Sequence, residues 1–273
     1  MKKNKSVLLS TPYILWMVAF TLIPLGVVLY YALTDPATGA FTWDNLRSLG
    51  TYLPVFWDSI LYSLISAFIC LLLGYPVAYF IAHRSPVAQK ILYMLVMLPM
   101  CMSFLLRTLA WVGLLQDTGI LNNFLAWIGL PRIHMIRTPG AVVLGMVYNY
   151  LPFMILPIYT AMTKIDDSII EAAQDLGCNV WQILFRVLVP LTGPGIATGI
   201  TQVFVPAVST FIISRMLGGG SNMLIGDLIE LQFLGNSYNY NLGSAMSLVL
   251  MVIVLLCMSL TNQLGSEEME GVV

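Results

Sequence analysis

Charged side chains are scarce in this chain of 273 residues. Asp, Glu, Lys and Arg together supply 9% of the residues, whereas hydrophobic residues supply 59%. Soluble domains contain about 25% charged residues. Because long uncharged helices are rare in soluble proteins, the composition argues against a soluble fold and predicts a membrane protein.

Residue patterns for catalysis and metal binding are also missing. The four cysteines have no metal-binding spacing, the two histidines have no ligand-like partners, and there is no H-E-x-x-H sequence. None of the lysines follows a glycine-rich turn, so the chain has no G-x-x-x-x-G-K-[ST] phosphate loop. We therefore predict no metal site, no catalytic residue and no enzyme activity. If ATP drives this protein, partner subunits must bind ATP and Mg²⁺ and hydrolyse the ATP.

Long apolar runs are what the sequence does contain. A membrane-spanning helix needs about 20 mostly apolar residues. Runs of this kind lie at about 12–33, 59–82, 91–115, 140–162, 191–213 and 243–264. They predict an all-α polytopic membrane protein with six transmembrane helices and a single transmembrane domain over residues 1–273. The first run is too long for the core of a signal peptide, so we interpret it as a retained span. The acidic tail at 265–273 is expected to be disordered.

Basic residues predict the orientation of these spans, because cytoplasmic loops are enriched in Lys and Arg. With the N-terminus inside, Lys2, Lys3 and Lys5 begin a set of seven inner basic residues, against four in the longer outer loops. Both termini and the segment 164–190 are then cytoplasmic. The lipid bilayer is the expected surrounding, and no nucleic acid is expected as a partner.

The segment 164–190 is polar and lies between two apolar runs. Ser168 and Glu171 have the spacing of a capping box, which predicts a helix over about 169–176. As a capping residue, Glu171 needs no partner protein. A structured helical segment between two spans nevertheless favours contact with something in the aqueous phase.

The second half of this segment predicts another short helix. Gly177 can end the first helix in the left-handed conformation, and Asn179 can cap the next one with Gln182 three residues later. Trp181 and Phe185 then form an apolar stripe. This stripe could pack under the spans or fill the groove of a partner.

The segment also resembles a known family signal. The spacing of Glu171-Ala172-Ala173, Gly177 and Pro190 is similar to that of the cytoplasmic loop in permease subunits of binding-protein-dependent ABC importers. Further similar stretches are LGYPVAYF at 73–80, LLR at 105–107, VYNYLPFM at 147–154, MLGG at 216–219, and LIG and QFL at 224–226 and 232–234. Together they resemble the permeases of spermidine/putrescine importers.

This resemblance implies a MetI-like permease fold in the inner membrane of a bacterium. It implies a complex with a second related permease, two ATPase subunits and an extracytoplasmic polyamine-binding protein, in which the two permeases form the pore. The residues that would couple this chain to the ATPase are Glu171, Ala172, Ala173, Asp175, Gly177, Trp181, Arg186 and Pro190. The two alanines would leave a smooth face on which the partner can sit closely.

A polyamine is a multiply charged cation, so carboxylates would be expected along its route through the membrane. None of the six spans contains Asp or Glu. Aromatic faces can hold ammonium groups instead, through cation–π contacts. Candidate path residues are Trp111, Tyr148, Tyr150 and Phe204, with Asp227 and Glu230 on the outer side. Ordinary packing is the alternative role of the aromatic residues.

Arg107 is the one charged residue in the third run. We expect its side chain to snorkel to the outer surface and to stay out of a cation path. Sulfate, iron, phosphonate and thiamine are alternative substrates for a permease of this kind. A stand-alone channel or secondary transporter is less favoured, because the sequence shows neither a clear internal repeat nor an intramembrane carboxylate.

Overall fold

The computed structural model describes residues 12–270, apart from 37, 221, 236 and 237, and gives side chains up to residue 261. Regular structure in these ranges is helical, with one isolated antiparallel bridge between Thr34 and Phe41. This agrees with the predicted all-α class. Lys2, Lys3 and Lys5, which were used to predict the orientation, lie outside the described residues.

Twelve helices organise the described part of the chain. In order they are α1 (Pro12–Ala32), α2 (Leu53–Ala82), α3 (Pro86–Met97), α4 (Phe104–Leu115), α5 (Ile120–Trp127), α6 (Pro139–Met162), α7 (Asp167–Asp175), α8 (Val180–Leu191), α9 (Gly193–Val208), α10 (Ile212–Gly218), α11 (Ile225–Leu234) and α12 (Tyr240–Glu270). A short helical stretch at Asp44–Ser48 precedes α2. Because α12 continues to Glu270, the expected disorder of the C-terminal tail is wrong up to that residue.

Four stretches of the described residues are long and apolar enough to cross a membrane as single helices. They contain α1, α2, α6 and α12. Two further pairs pass the same test as bent spans: the stretch of α3 up to Cys101 with Phe104–Trp127, bent by 86°, and α8 with α9, bent by 71°. The total is six if each bent pair is one span.

The third predicted span is therefore not a continuous helix. A 3₁₀ turn at Leu98–Cys101 follows α3, and Met102 then adopts an extended conformation. Pro99 in this turn has no N–H to donate, and the helix restarts only after Ser103, which is also extended. The run 91–115 is long enough for a span by composition, but the chain turns sharply in its middle.

Contacts between Cα atoms divide the chain into two compact units. The first holds residues up to 54 together with 228–253. Within it, Asn241 donates from its side-chain amide to the carbonyls of Tyr31 at 3.0 Å and Thr34 at 2.6 Å. Asn45 likewise donates to the carbonyls of Ala32 and Thr34. These two amides satisfy carbonyl groups that the end of α1 leaves free.

The second unit holds residues 55–227 and the chain from 254 onward. Its centre is α6, where Met146, Met154 and Ile158 are fully buried. Gly74 of α2 and Gly199 of α9 both pack against Met154, and an added Cβ would lie 3.2 Å and 2.7 Å from its side chain. Glycine at these two positions lets α2 and α9 approach α6 closely.

Candidate functional site

The polar segment forms two short helices, as predicted, but the first cap differs from the prediction. Helix α7 is capped by Asp166, whose carboxylate accepts a hydrogen bond from the Ser168 N–H at 3.0 Å. This bond, with a second from the Ser168 hydroxyl, lowers the pKa of Asp166. The predicted capping box of Ser168 and Glu171 is therefore wrong, because the helix starts two residues earlier, at Asp167, and Asp166 is its capping acceptor.

Gly177 ends α7 as predicted. Its φ is +79°, in the left-handed region that glycine adopts without strain. The Gly177 N–H donates to the Gln174 carbonyl at 2.8 Å, and the Cys178 N–H donates to the Ala173 carbonyl at 3.1 Å. This pair of bonds is a Schellman motif, which satisfies carbonyls at the end of the helix.

Helix α8 begins with the predicted capping box. Asn179 accepts from the Gln182 N–H at 2.9 Å, and the Gln182 side chain accepts from the Asn179 N–H at 2.8 Å. Each residue satisfies a backbone donor of the other. The start of α8 is thus fixed by its own sequence.

The two short helices pack on each other through a small apolar cluster. Ala173, Ile183 and Leu188 are buried there, with Cys178 partly buried against them. Only Ala172 of the two alanines is exposed. The predicted smooth outer face of both alanines is therefore wrong for Ala173, whose methyl group faces α8.

The opposite side of this pair of helices exposes large apolar groups. Trp181 is 69% exposed and Phe185 is 62% exposed. Their rings stack with centroids 6.1 Å apart and planes 12° apart. Leu176 and Val180 are even more exposed, at 85% and 78%. We call these four residues the docking face; of the two roles considered for the aromatic stripe, packing under the spans is wrong.

The remaining predicted coupling residues lie around the docking face and behind it. Glu171, Asp175 and Arg186 are exposed, and Pro190 is partly buried. A π-helical turn at Leu184–Leu188 precedes Pro190. The chain then bends by 71° between α8 and α9, with Thr192 at the break. We call Thr192 the elbow, because it joins the pair of short helices, α7 and α8, to α9.

The candidate path residues are distributed over several places. Trp111 and Tyr148 form an edge-to-face pair with centroids 5.3 Å apart. Tyr150 is buried and donates its hydroxyl to the Pro206 carbonyl at 3.2 Å. Phe204 is 3% exposed and lines a separate small apolar cavity of about 140 Å³. Of these four residues, ring contact is observed between Trp111 and Tyr148, whereas Tyr150 bonds to α9 and Phe204 lines the small cavity.

Asp227 and Glu230, the two acidic residues predicted on the outer side, also differ in their surroundings. Asp227 is 3% exposed and accepts from the Leu224 N–H at 2.9 Å, so one of its oxygens caps the start of α11. Glu230 lies one turn further along and is partly exposed.

Arg107 is buried rather than directed to a surface. It is 8% exposed, and its Nε and Nη1 atoms have no hydrogen-bond partner among the described residues. Its guanidinium carbon lies 5.9 Å from the centre of the Phe104 ring. The predicted snorkelling is therefore wrong, because α4 turns this side chain towards other helices.

A larger cavity of about 820 Å³ lies where α6, α7 and α9 meet. Its polar lining consists of Thr160, Thr198, Gln202 and, at one end, Lys164, and no carboxylate is among its lining residues. The apolar lining includes Phe153, Leu156 and Ile169. We call this cavity the groove. Sequence reasoning missed the three neutral residues, although Thr198 and Gln202 have the four-residue spacing of one helix face.

Comparison with known proteins identifies the family. Residues 74–264 match the family of binding-protein-dependent transport system inner membrane components. The spermidine/putrescine transport system permease protein PotB of Haemophilus influenzae is 38% identical over 93% of this chain and 93% of its own length. The PotB protein of Escherichia coli K12 is 36% identical over 88% of this chain and 90% of its own length.

Solved structures show the same fold at lower identity. A chain of a bacterial ABC transporter that imports alginate superposes with a TM-score of 0.80 and 20% identity, covering 97% of this chain and 96% of that chain. A chain of the MetNI methionine ABC transporter superposes with a TM-score of 0.59 over 80% of this chain. The fold is thus that of ABC importer permeases. The chain belongs to the family of binding-protein-dependent transport system inner membrane components.

Proposed function

We propose that this chain is a permease subunit of an ATP-driven polyamine importer and forms half of its translocation pore. The observation on which the coupling role depends is the docking face, where a stacked Trp181–Phe185 pair is exposed on helices that are already capped and packed. Exposed apolar groups of this size on a fixed scaffold are typical of a protein interface. The occupant we propose is an ATPase subunit.

The partners of this chain follow from that role. Two ATPase subunits bind ATP and Mg²⁺, hydrolyse the ATP and close around the docking faces of two permeases. A second, related permease completes the pore, and an extracytoplasmic binding protein delivers the substrate. Related transporters of known structure support this arrangement, since one was solved with a periplasmic protein that holds an alginate pentasaccharide. The chain itself acts as the conduit and catalyses no reaction.

The proposed substrate is spermidine or putrescine. Support comes from the extent of the similarity to the PotB proteins, which covers nearly the whole chain. The groove is chemically suited to passing a polycation, because its hydroxyl and amide groups can solvate ammonium groups. A row of carboxylates would instead hold a polyvalent cation tightly. In this proposal Thr160, Thr198 and Gln202 form part of the pore wall.

Transport assays in vesicles test the function directly. Proteoliposomes with both permeases, the ATPase and the binding protein should take up labelled spermidine or putrescine only when ATP is supplied. Sulfate, iron, phosphonate and thiamine serve as competitors. Uptake of one of these instead would transfer the assignment to another solute, and uptake by the permeases without ATPase subunits would indicate a channel or secondary transporter.

The proposed orientation places both termini and the docking face in the cytoplasm. The test is a single cysteine at the exposed Leu176, in a background without the four native cysteines. A membrane-impermeant thiol reagent should label it in inverted vesicles and not in intact cells. Labelling in intact cells would contradict the orientation, and a cysteine at the exposed Trp127 gives the opposite pattern as a control.

A further inference from the structure

The elbow is tied to another helix by a single buried hydrogen bond. The Tyr75 hydroxyl lies 3.1 Å from the Thr192 hydroxyl, although the two residues are 117 positions apart in the chain. Tyr75 is 9% exposed and Thr192 is fully buried. The bond therefore joins α2 directly to the break between α8 and α9.

The direction of this bond follows from the other contact of Thr192. Its hydroxyl donates to the Leu188 carbonyl at 2.7 Å, in the last turn before the elbow. A hydroxyl has one hydrogen, so Tyr75 is the donor and Thr192 the acceptor in the bond between them. Thr192 thus connects the end of the π-helical turn to α2 through one oxygen atom.

Tyr75 is itself held firmly on its side of the bond. The neighbouring Gly74 packs against Met154 and Ile155 of α6, with only 3.2 Å and 3.4 Å to an added Cβ. Pro76 follows within the helix and leaves one backbone carbonyl of α2 without its usual donor. Tyr75 therefore sits where α2 is fixed laterally by α6 but weakened along its own axis.

We propose that the Tyr75–Thr192 bond makes the elbow a rigid joint, through which movement of the docking face is transmitted to α2. The docking-face residues Trp181 and Phe185 lie within two to three helical turns of Thr192, on the helix that ends at the elbow. Displacing this helix would move the Thr192 hydroxyl and, with the bond intact, Tyr75. Without the bond, the elbow can flex while α2 stays in place. Tyr75 and Thr192 are in this sense positioning residues; the inference rests on the proposed function.

The test compares transport with ATP consumption in the same proteoliposomes. Tyr75→Phe and Thr192→Val each remove one hydroxyl and nearly preserve size. Each should lower the number of substrate molecules imported per ATP by about two- to tenfold, the equilibrium factor of one buried neutral hydrogen bond. The double variant should be no worse than the stronger single variant, since both remove the same bond. Thr192→Ser keeps the hydroxyl and should import as many substrate molecules per ATP as the unsubstituted protein.

Two matched controls isolate the bond from general effects. Tyr79→Phe changes an exposed tyrosine one turn further along α2. Thr108→Val removes a buried hydroxyl that donates within its own helix, to the Phe104 carbonyl at 3.0 Å. Both should leave the ratio unchanged. A parallel fall of transport and ATPase activity in Tyr75→Phe, with an unchanged ratio, would show a merely structural role and overturn the inference.

A second measurement separates failure of this inference from failure of the proposed function. Hydrogen–deuterium exchange of the peptide covering 184–198 in the purified complex needs no substrate. It should be faster in Tyr75→Phe and Thr192→Val than in the unsubstituted protein and both controls. If the complex imports a different solute, the ratio is measured with that solute. Unchanged exchange in both variants would overturn the inference that the Tyr75–Thr192 bond makes the elbow rigid, whatever the substrate.

Discussion

Two aromatic pairs of this chain have similar geometry and opposite surroundings. Trp181 and Phe185 stack with centroids 6.1 Å apart in the open, whereas Phe104 and Tyr150 stack at 6.4 Å within the helical core. In the core pair Tyr150 is buried and Phe104 partly buried, and Tyr150 donates its hydroxyl to a backbone carbonyl. The exposed pair has no such role in the described fold. Similar ring contacts thus stabilise the membrane core in one place and provide an unoccupied surface in the other.

The same contrast applies to the glycines of the two regions. Glycines of the core are needed for their missing side chain, because neighbouring helices occupy the space of a Cβ. Gly177 in the segment between the spans is needed for its backbone conformation, and no atom lies within 4 Å of an added Cβ. Substitutions should therefore break the two regions in different ways.

The largest expected effect comes from filling the core contact at Gly195. An added Cβ would lie 2.6 Å from the Ala161 Cβ and 2.9 Å from the Pro157 carbonyl oxygen. Because backbone cannot move aside cheaply, Gly195→Leu should abolish recovery of folded permease from membranes. Gly26→Leu is the control, since an added Cβ at Gly26 meets nothing within 4 Å. Size-exclusion chromatography of both variants in detergent measures this, and a normal yield of Gly195→Leu would contradict the close packing of α9 on α6.

The next largest effect should arise at Gly177, with the core intact. Proline cannot adopt a φ of +79° and has no N–H to donate to Gln174. Gly177→Pro should therefore yield folded permease that transports nothing and no longer co-purifies with the ATPase. Gly177→Asn, which tolerates the left-handed conformation, should retain most activity. Normal uptake by Gly177→Pro would refute the need for the Schellman turn.

These two glycines also show what the sequence could and could not reveal. Gly177 was predictable, because a helix-ending glycine is a local signal within a few residues. The contact of Gly195 with Ala161 and Pro157 depends on how α9 lies against α6, which no local pattern encodes. For the same reason, the Asn179 cap was predicted correctly, whereas the burial of the Arg107 side chain between helices was not.

The first cap shows a different limit. Asp166 and Ser168 are both good capping residues, and the sequence alone does not decide between helix starts two residues apart. The groove shows a third limit, because Thr160, Thr198 and Gln202 are neutral residues without a motif. The composition of the apolar runs could not indicate the 86° bend in the third run.

A smaller effect, confined to binding, is expected at the docking face. Trp181→Ala and Phe185→Ala remove exposed rings, so the free energy of unfolding of the isolated permease should change by no more than about 0.5 kcal/mol. Affinity for the ATPase subunit should nevertheless fall by about 30-fold or more, as for central aromatic residues of other interfaces. Trp127→Ala, at a tryptophan elsewhere that is 80% exposed, is the control. Titration of the ATPase subunit against detergent-solubilised permease measures the affinity, and equal binding by all three variants would remove the docking role.

The smallest effect should distinguish the two caps of the segment by pH. The pKa of Asp166 is lowered by its bonds with Ser168, so the ionised carboxylate is the form that stabilises α7. This contribution is complete above the ordinary pKa of about 3.9 and is lost as the pH falls through the lower pKa in the folded protein.

The exchange protection of the Ser168 amide, corrected for intrinsic rate, should therefore stay constant from about pH 8 to pH 5 and decline only below about pH 4. Asp166→Asn keeps an acceptor and should remove this dependence. The Gln182 amide, which is capped by the non-titrating Asn179, should show no such decline. Equal pH dependence at both amides would mean that the segment unfolds as a whole in acid and that the Asp166 carboxylate has no separate part in holding α7.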